Sequence, residues 1–224
     1  MSMRLHPESF DPDRKIIFEK LVKFRNFGYL AGGTALALQI GHRVSYDFDI
    51  FCGKEIGNTI ICKAKKEFSI KETLINSKEE FTFVDKAGVK ISFIYYPFDL
   101  NNFVVKTPNN IGILSIKGVA LAKSYALNRR ASWRDYIDLY FVLKNKKASL
   151  KGIIKKSEKV YGEIFAEKLF LTQLVYTKDI DKREVAETKF LKEKVTLREV
   201  EKYFQREVDK YLSLKRDKNA CKKI

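Results

Sequence analysis

Hydrophobic and polar positions change rhythm part-way along the chain. Near its start, "DPDRKIIFEKLVKFRNFG" has apolar residues at helical spacing: Ile16, Ile17, Leu21 and Phe24 make one face, Asp11 or Asp13 can cap it, and Gly28 follows its end. "YLAGG" is a short apolar approach to a glycine turn. "TALALQIGH" then carries helix formers, with Thr34 at the start, where a hydroxyl can cap. In "YDFDIF" the rhythm becomes alternation: on a strand, Asp47 and Asp49 face one side while Phe48 and Ile50 face the other. "KEIGNTIICKAKKEF" predicts a further helix. "FSIKETLI", "EEFTFVD" and "GVKISFIYYPF" predict strands, the last two joined by a "DKAG" hairpin turn.

From about Ser115 the spacing is helical throughout, in "SIKGVALAKSYALNRR", "WRDYIDLYFVLKN", "SLKGIIKKSEKVYG", "EIFAEKLFLTQLVY" and "TLREVEKYFQREVDKYLSLK". The proline, asparagines and glycine of "KTPNNIG" mark the change. The expected architecture is therefore α+β: a small mixed sheet with packed helices over residues 1–112, followed by a helical bundle over 113–224. The closing "KRDKNACKKI" is a basic tail expected to fray.

Composition narrows the partners. A chain of 224 residues with 45% apolar content can bury a real core in one large or two small domains. Its 44 Lys and Arg against 28 Asp and Glu give a net charge of +16. Such a surface attracts polyanions, nucleic acid first and an anionic membrane surface second, although a lysine-rich solvated face gives the same count. No uninterrupted apolar run reaches the roughly 18 residues of a membrane span, and "MSMRLHPESFDPDRK" lacks the apolar core of a signal peptide. Cys52, Cys62 and Cys221 have no paired metal-ligand spacing, and His6 and His42 are too few for a histidine-rich zinc site. A cytoplasmic protein with reduced thiols and no membrane partner is expected.

The chemistry concentrates in "GGTALALQIGHRVSYDFDIF". Paired carboxylates on one strand face repel unless water or a cation intervenes. Mg2+ suits Asp47 and Asp49, because it prefers hard oxygen ligands and shares them with substrate phosphates. Gly32 and Gly33 before a helix allow close backbone approach, and the helix start with Thr34 presents free N–H groups to an anion. Arg43 and Ser45 add a guanidinium fork and a hydroxyl on the approach to Asp47. Each part alone is a common surface feature; the ordered combination is much more specific.

That combination resembles the signature of the nucleotidyltransferase fold, a glycine pair followed by a helix and then Asp-apolar-Asp. It is most similar to the AbiEii/AbiGii branch, the MenT-like toxin halves of type IV toxin–antitoxin systems, which carry "GGTAL", then "HR", then S-x-D-x-D. A second segment, "LAKSYALNRRASWRDYIDLYFVL", reads by itself as a two-helix hairpin, with Lys123 and Arg130 near one face and Asp135 and Asp138 sharing another. On the residues alone these are solvated ion pairs worth little each. The branch carries a similar K-x-x-A-L-x-x-R…(K/R)-D-x-x-D-L, whose Lys and second Asp belong to the site. Carried over, these are Lys123 and Asp138, with Arg130, Arg134 and Asp135 at neighbouring motif positions and Arg130 and Asp135 expected near the nucleotide. Lys123 would neutralise the triphosphate as charge develops, and Asp138 would either accept the acceptor's proton or orient Lys123.

One departure stands out. The wider fold places a third carboxylate on a later strand, where this chain offers Ser92; Asp85 and Asp99 flank that strand. The branch tolerates this loss by leaning on a set that here is Ser45, Asp47, Lys123 and Asp138. Cations and aromatics also occur together in "NRRASWRDY", so Arg129, Trp133 and Arg134 are expected to touch RNA, the cations at phosphates and the indole on a base. The resemblance thus implies a Mg2+-dependent enzyme, with its site in the cleft between the domains. It would transfer a nucleoside monophosphate from an NTP to an acceptor hydroxyl, either on RNA, with the 3′ end of tRNA as the leading candidate, or on a protein, and be partnered by an antitoxin. The alternative is a degenerate module that binds nucleotide or RNA without turnover.

Overall fold

The computed structural model describes residues 5–6 and 10–220; Cys221 and the end of the basic tail lie outside the described residues. The chain gathers into two compact units. The first runs to Val119 and takes back Lys189–Lys192, and the second comprises Ala120–Thr188 and the chain from Glu193.

In the first unit, β1 (Gly28–Leu30), β2 (Phe48–Cys52), β3 (Ile70–Asn76), β4 (Glu80–Asp85), β5 (Lys90–Tyr95), β6 (Val104–Val105) and β7 (Ile113–Leu114) form one mixed sheet in the order β3-β4-β5-β2-β1-β7-β6. β2 is antiparallel to β1 and parallel to β5. Helices α1 (Pro12–Lys20), α2 (Gly32–Ile40) and α3 (Asn58–Glu67) belong to the same unit. The alternation in β2 builds the two faces of the sheet. Phe48 and Ile50 are fully buried, as are Phe93, Phe81, Phe83 and Phe24, and the Phe24 and Phe93 rings lie 4.9 Å apart. Each buried ring contributes about 1.5–3 kcal/mol. A one-residue slip of β2 would exchange rings for carboxylates, so the core on one face fixes where Asp49 stands on the other.

Local chemistry explains the element ends. Asp11 caps α1, its carboxylate accepting from the Arg14 N–H at 2.9 Å. The buried face of this segment is Ile17, Phe18, Leu21 and Phe24, one position round from expectation, and Ile16 is 52% exposed. The "DKAG" turn joins β4 to β5, with Gly88 at φ +77. The glycine pair falls inside the first turn of α2 rather than before it, with Ala31 as the N-cap, so Thr34 does not cap. The two-residue strands β6 and β7 are too short to leave any periodicity, and the sequence gives no sign of them.

The second unit is helical. α4 (Ile116–Leu127) enters it from the first unit; α5 (Trp133–Lys144), α6 (Leu150–Tyr161), α7 (Glu167–Val175), α8 (Lys182–Glu187) and α9 (Leu197–Ala220) complete it. α5 is buried on nearly every side, from Trp133 through Leu143, which marks it as the central helix. α9 turns Val200, Phe204 and Val208 inward and packs on α5, α6 and α7. Burial pushes the Tyr136 phenol up to about 12, with the carboxylates of Asp179 and Asp135 adding to the shift. It therefore stays protonated, with its oxygen 2.6 Å from the Gln173 carbonyl and 2.8 Å from that of Tyr176. Among the described residues, no helix is long and apolar enough to cross a membrane.

Candidate functional site

The first unit holds the paired carboxylates. Leu30 of β1 pairs with Ile50 of β2, and the next residue, Ala31, donates its N–H to the Asp49 carbonyl at 2.8 Å. Gly32 then lies against the Asp49 side chain: a Cβ there would come 2.3 Å from Oδ2. Its φ of +64 also favours glycine. Asp49 is thus seated at the start of α2, where the helix dipole favours negative charge. Asp47 stands on the same face two residues earlier, its Oδ2 3.2 Å from the Lys90 ammonium. The Thr34 hydroxyl donates to the Asp47 carbonyl and lies 2.7 Å from Ser45 Oγ, tying α2 to the chain that leads into β2. Ser45 is 6% exposed.

β5 carries what stands in for a third carboxylate. Ser92 is the register partner of Asp49 and Thr82 the next residue across the sheet, both buried. Among the described residues no group of three or more His, Cys, Asp or Glu could hold a metal. The donor set is therefore Asp49 of β2 and Asp47 just before it, which still fits Mg2+, since that ion takes one or two carboxylates and completes its shell with water and phosphate. Lys90 is a residue the sequence reading missed. Its signal was its place two residues before Ser92 on the same face of β5.

Arg43 is corrected by the structure. It is only 3% exposed, and its guanidinium donates to the Val44 carbonyl at 3.1 Å. The flanking backbone pairs with residues 189–191, Val44 N–H to the Lys189 carbonyl at 2.8 Å and Leu191 N–H to the His42 carbonyl at 3.1 Å. A side chain this buried anchors the segment and presents no fork to solvent.

The second unit holds the other motif. Lys123 places its ammonium 2.5 Å from Asp135 Oδ1 and 2.9 Å from Asp138 Oδ2. The carboxylates are 1% and 0% exposed, and Arg130, 66% exposed, reaches Asp135 Oδ2 at 3.1 Å from the solvent side. The Lys123 pairs are not solvated: its ammonium is buried with both carboxylates, as burial of charge demands, and Arg130 adds a second cation from the solvent side. Arg129 stacks its guanidinium 3.8 Å from the Tyr125 ring centre and stays exposed. Arg134 pairs with Glu184 at 3.6 Å. Trp133 is corrected: it is wholly buried, so its ring cannot stack on a base, and only its backbone N–H is used, donating to Glu184 at 2.8 Å. Glu184, from the unforeseen α8, also accepts from Ser132 at 2.8 Å and so caps α5 from outside.

An uncharacterized protein of Aquifex aeolicus (strain VF5), aq_aa25, is 33% identical over 173 residues, 75% of this chain and 82% of that protein. The chain belongs to the aq_aa25 family. No family model matches it. Among solved structures it is similar to MenT4, the nucleotidyltransferase toxin Rv2826c of Mycobacterium tuberculosis H37Rv, with a TM-score of 0.61 at 12% identity over 88% of this chain and 80% of that one. A candidate nucleotidyltransferase from Helicobacter pylori gives 0.54 at 17% identity, covering 92% and 99%. JHP933 of Helicobacter pylori gives 0.53 at 17%, covering 97% and 99%. This member of the aq_aa25 family thus has a nucleotidyltransferase-like fold, a mixed-sheet domain followed by a helical domain.

Proposed function

We propose that the chain is a nucleotidyltransferase toxin of the AbiEii/AbiGii kind, with a nucleotidyltransferase domain over residues 1–112 and a helical domain over 113–224. It transfers a nucleoside monophosphate from an NTP to an acceptor hydroxyl on RNA, at the 3′ end of tRNA. The observation that carries this reading is the seating of Asp49 against Gly32 at the start of α2, with Asp47 beside it. The fold shared with the MenT4 toxin supports it.

The geometry supports the following roles. The uncapped start of α2 offers backbone N–H groups of Gly32 and Gly33 to phosphate oxygens. Asp47 and Asp49 would hold Mg2+, which supplies Lewis-acid polarisation of the phosphoryl group. Lys90 adds a fixed positive charge beside Asp47 and shares the neutralising work that a third carboxylate and its metal do elsewhere in the fold. Asp138, fully buried under the Lys123 ammonium, orients that group rather than accepting a proton. In the reaction the acceptor oxygen bonds to the α-phosphorus, the bond from that phosphorus to the α,β-bridging oxygen breaks with pyrophosphate leaving, and the acceptor's proton passes to solvent water. An antitoxin is the expected partner.

The test is incubation of the protein with each labelled NTP, Mg2+ and total RNA, followed by sequencing of labelled ends. Asp47→Ala is expected to abolish both transfer and growth inhibition while melting with the wild type. Retained toxicity in that variant removes Asp47 from the mechanism. Ser92 and the Lys90–Asp47 pair favour one second reading, a module that binds nucleotide or RNA without turnover. Tight NTP binding with no transfer to any RNA decides for it.

A further inference from the structure

A second basic feature lies in the first unit, away from the carboxylates. β2 begins near Asp47 and ends at Cys52, and β1 runs the other way from Gly28. At the Cys52 and Gly28 end a cavity of about 1210 Å3 opens, roughly 10 Å of strand beyond Asp49. Arg25, Lys54 and Lys106 line it from three separate chain segments, against a single lining carboxylate, Glu55. All three cations are exposed, and none is paired with a carboxylate among the described residues. The start of α3, which has no side-chain cap, forms part of the wall through Gly57 and Thr59.

The floor is aromatic. Phe27 and Tyr29 line it, and Tyr29 is 9% exposed. Burial and the nearby Asp99 carboxylate hold that phenol in its protonated form, so it is a standing donor. A phenol donor among the lining of a cationic cavity suits a ligand that carries acceptor oxygens.

We propose that this cavity is a docking groove for single-stranded RNA, binding two or three nucleotides of the acceptor molecule. The proposal rests on the RNA-acceptor reading above and names the surface that recruits that substrate. Cations on three segments match successive phosphates, whereas one small anion would need them convergent. The volume exceeds the roughly 300–1,000 Å3 typical of small-molecule sites. Recessed Phe27 and Tyr29 can be reached by an unpaired base and not by a duplex edge.

The test uses the full chain and fluorescence anisotropy with a labelled 12-nucleotide single-stranded RNA, its duplex, and inorganic phosphate as competitor, at several salt concentrations. A triple variant, Arg25→Ala with Lys54→Ala and Lys106→Ala, is expected to bind the single strand at least tenfold more weakly. Its log–log salt slope should fall by about 2, from three phosphate contacts at about 0.7 each. Tyr29→Phe is expected to weaken binding several-fold with the slope unchanged. A control triple where the end of α3 meets the β4–β5 turn, Lys65→Ala with Lys66→Ala and Lys86→Ala, removes the same charge elsewhere and should lose less than threefold. Wild-type binding in the first triple, equal loss in the control, or displacement of RNA by stoichiometric phosphate overturns the proposal. RNA binding that depends on the groove in a protein that transfers nothing sinks only the transferase reading. Transfer with groove-independent binding sinks only the groove.

Discussion

Lys123→Met tests the charge arrangement of the second unit. Methionine keeps the unbranched stem and removes the ammonium that Asp135 and Asp138 share at 2.5 and 2.9 Å. Because both carboxylates are 1% exposed or less, water cannot replace the lost cation. Breaking a buried pair in this way costs about 3–5 kcal/mol. Arg130 still reaches Asp135, but its side chain is 66% exposed, so that contact is screened and offsets about 1 kcal/mol at most. A net loss of about 2–4 kcal/mol corresponds to a drop in Tm of about 4–16 °C for a chain of this length.

The assay is thermal and urea unfolding, followed by circular dichroism, for the wild type, Lys123→Met, Asp138→Asn and the double variant. The double variant is expected to be more stable than the sum of the single losses by about 1–2 kcal/mol, because a neutral amide no longer needs the counter-charge. A Lys123→Met protein that melts within about 2 °C of the wild type, or strict additivity in the cycle, refutes the reasoning. The result also governs how activity data are read. Inactivity of Lys123→Ala counts as catalytic only at a temperature where that variant is shown to be folded.

Gly32→Ala adds a Cβ 2.3 Å from Asp49 Oδ2 at a φ of +64, and is expected to cost about 1–3 kcal/mol and displace the carboxylate; unaltered divalent-ion affinity would contradict the seating of Asp49. Lys90→Ala removes a half-exposed ammonium from Asp47, so Mn2+ titrated into the full chain should bind up to about fivefold more tightly, and weaker binding would show that Lys90 supports the metal instead. Burial pushes the Cys52 thiol up to about 12, and thiolate is the reactive form. Native iodoacetamide labelling at pH 8 should therefore modify exposed Cys62 and spare Cys52 until the chain unfolds, as read by peptide mass spectrometry; prompt Cys52 labelling would contradict its burial.

Legibility followed periodicity. β2 was readable because Phe48 and Ile50 enter the core while Asp47 and Asp49 leave it, and the long helices because their apolar faces repeat. α5 misled at Trp133 for the same reason it was recognised. It is buried nearly all round although Arg134, Asp135 and Asp138 interrupt its apolar positions, so the pattern does not show that its first aromatic faces inward. Arg43 looked like a phosphate fork because a charged residue is usually outside; its burial depends on backbone pairing with residues 189–191, a contact far away in sequence. The same distance hid Glu184, whose capping of α5 comes from a six-residue helix with no detectable face. Asp135 and Asp138 were visible as a spaced pair, but only packing turned a weak surface pair into a buried cluster.

The spacing within "GGTALALQIGHRVSYDFDIF" has a physical reading that a list of its letters lacks. With Leu30 opposite Ile50, the antiparallel pair must bring Ala31 to Asp49 and then set Gly32 on its side chain. Glycine at that point is a consequence of the register, not an independent requirement. The chain then has to leave β1, complete α2 and return antiparallel, and Gly41 at φ +59 ends the helix so that it can. Glycine pair, short helix and Asp-apolar-Asp are therefore one geometric statement: a helix start pressed against a carboxylate, held by rings on the opposite face. Any nucleotide chemistry here depends first on Phe48 and Ile50, which never touch a substrate, keeping Asp49 in register.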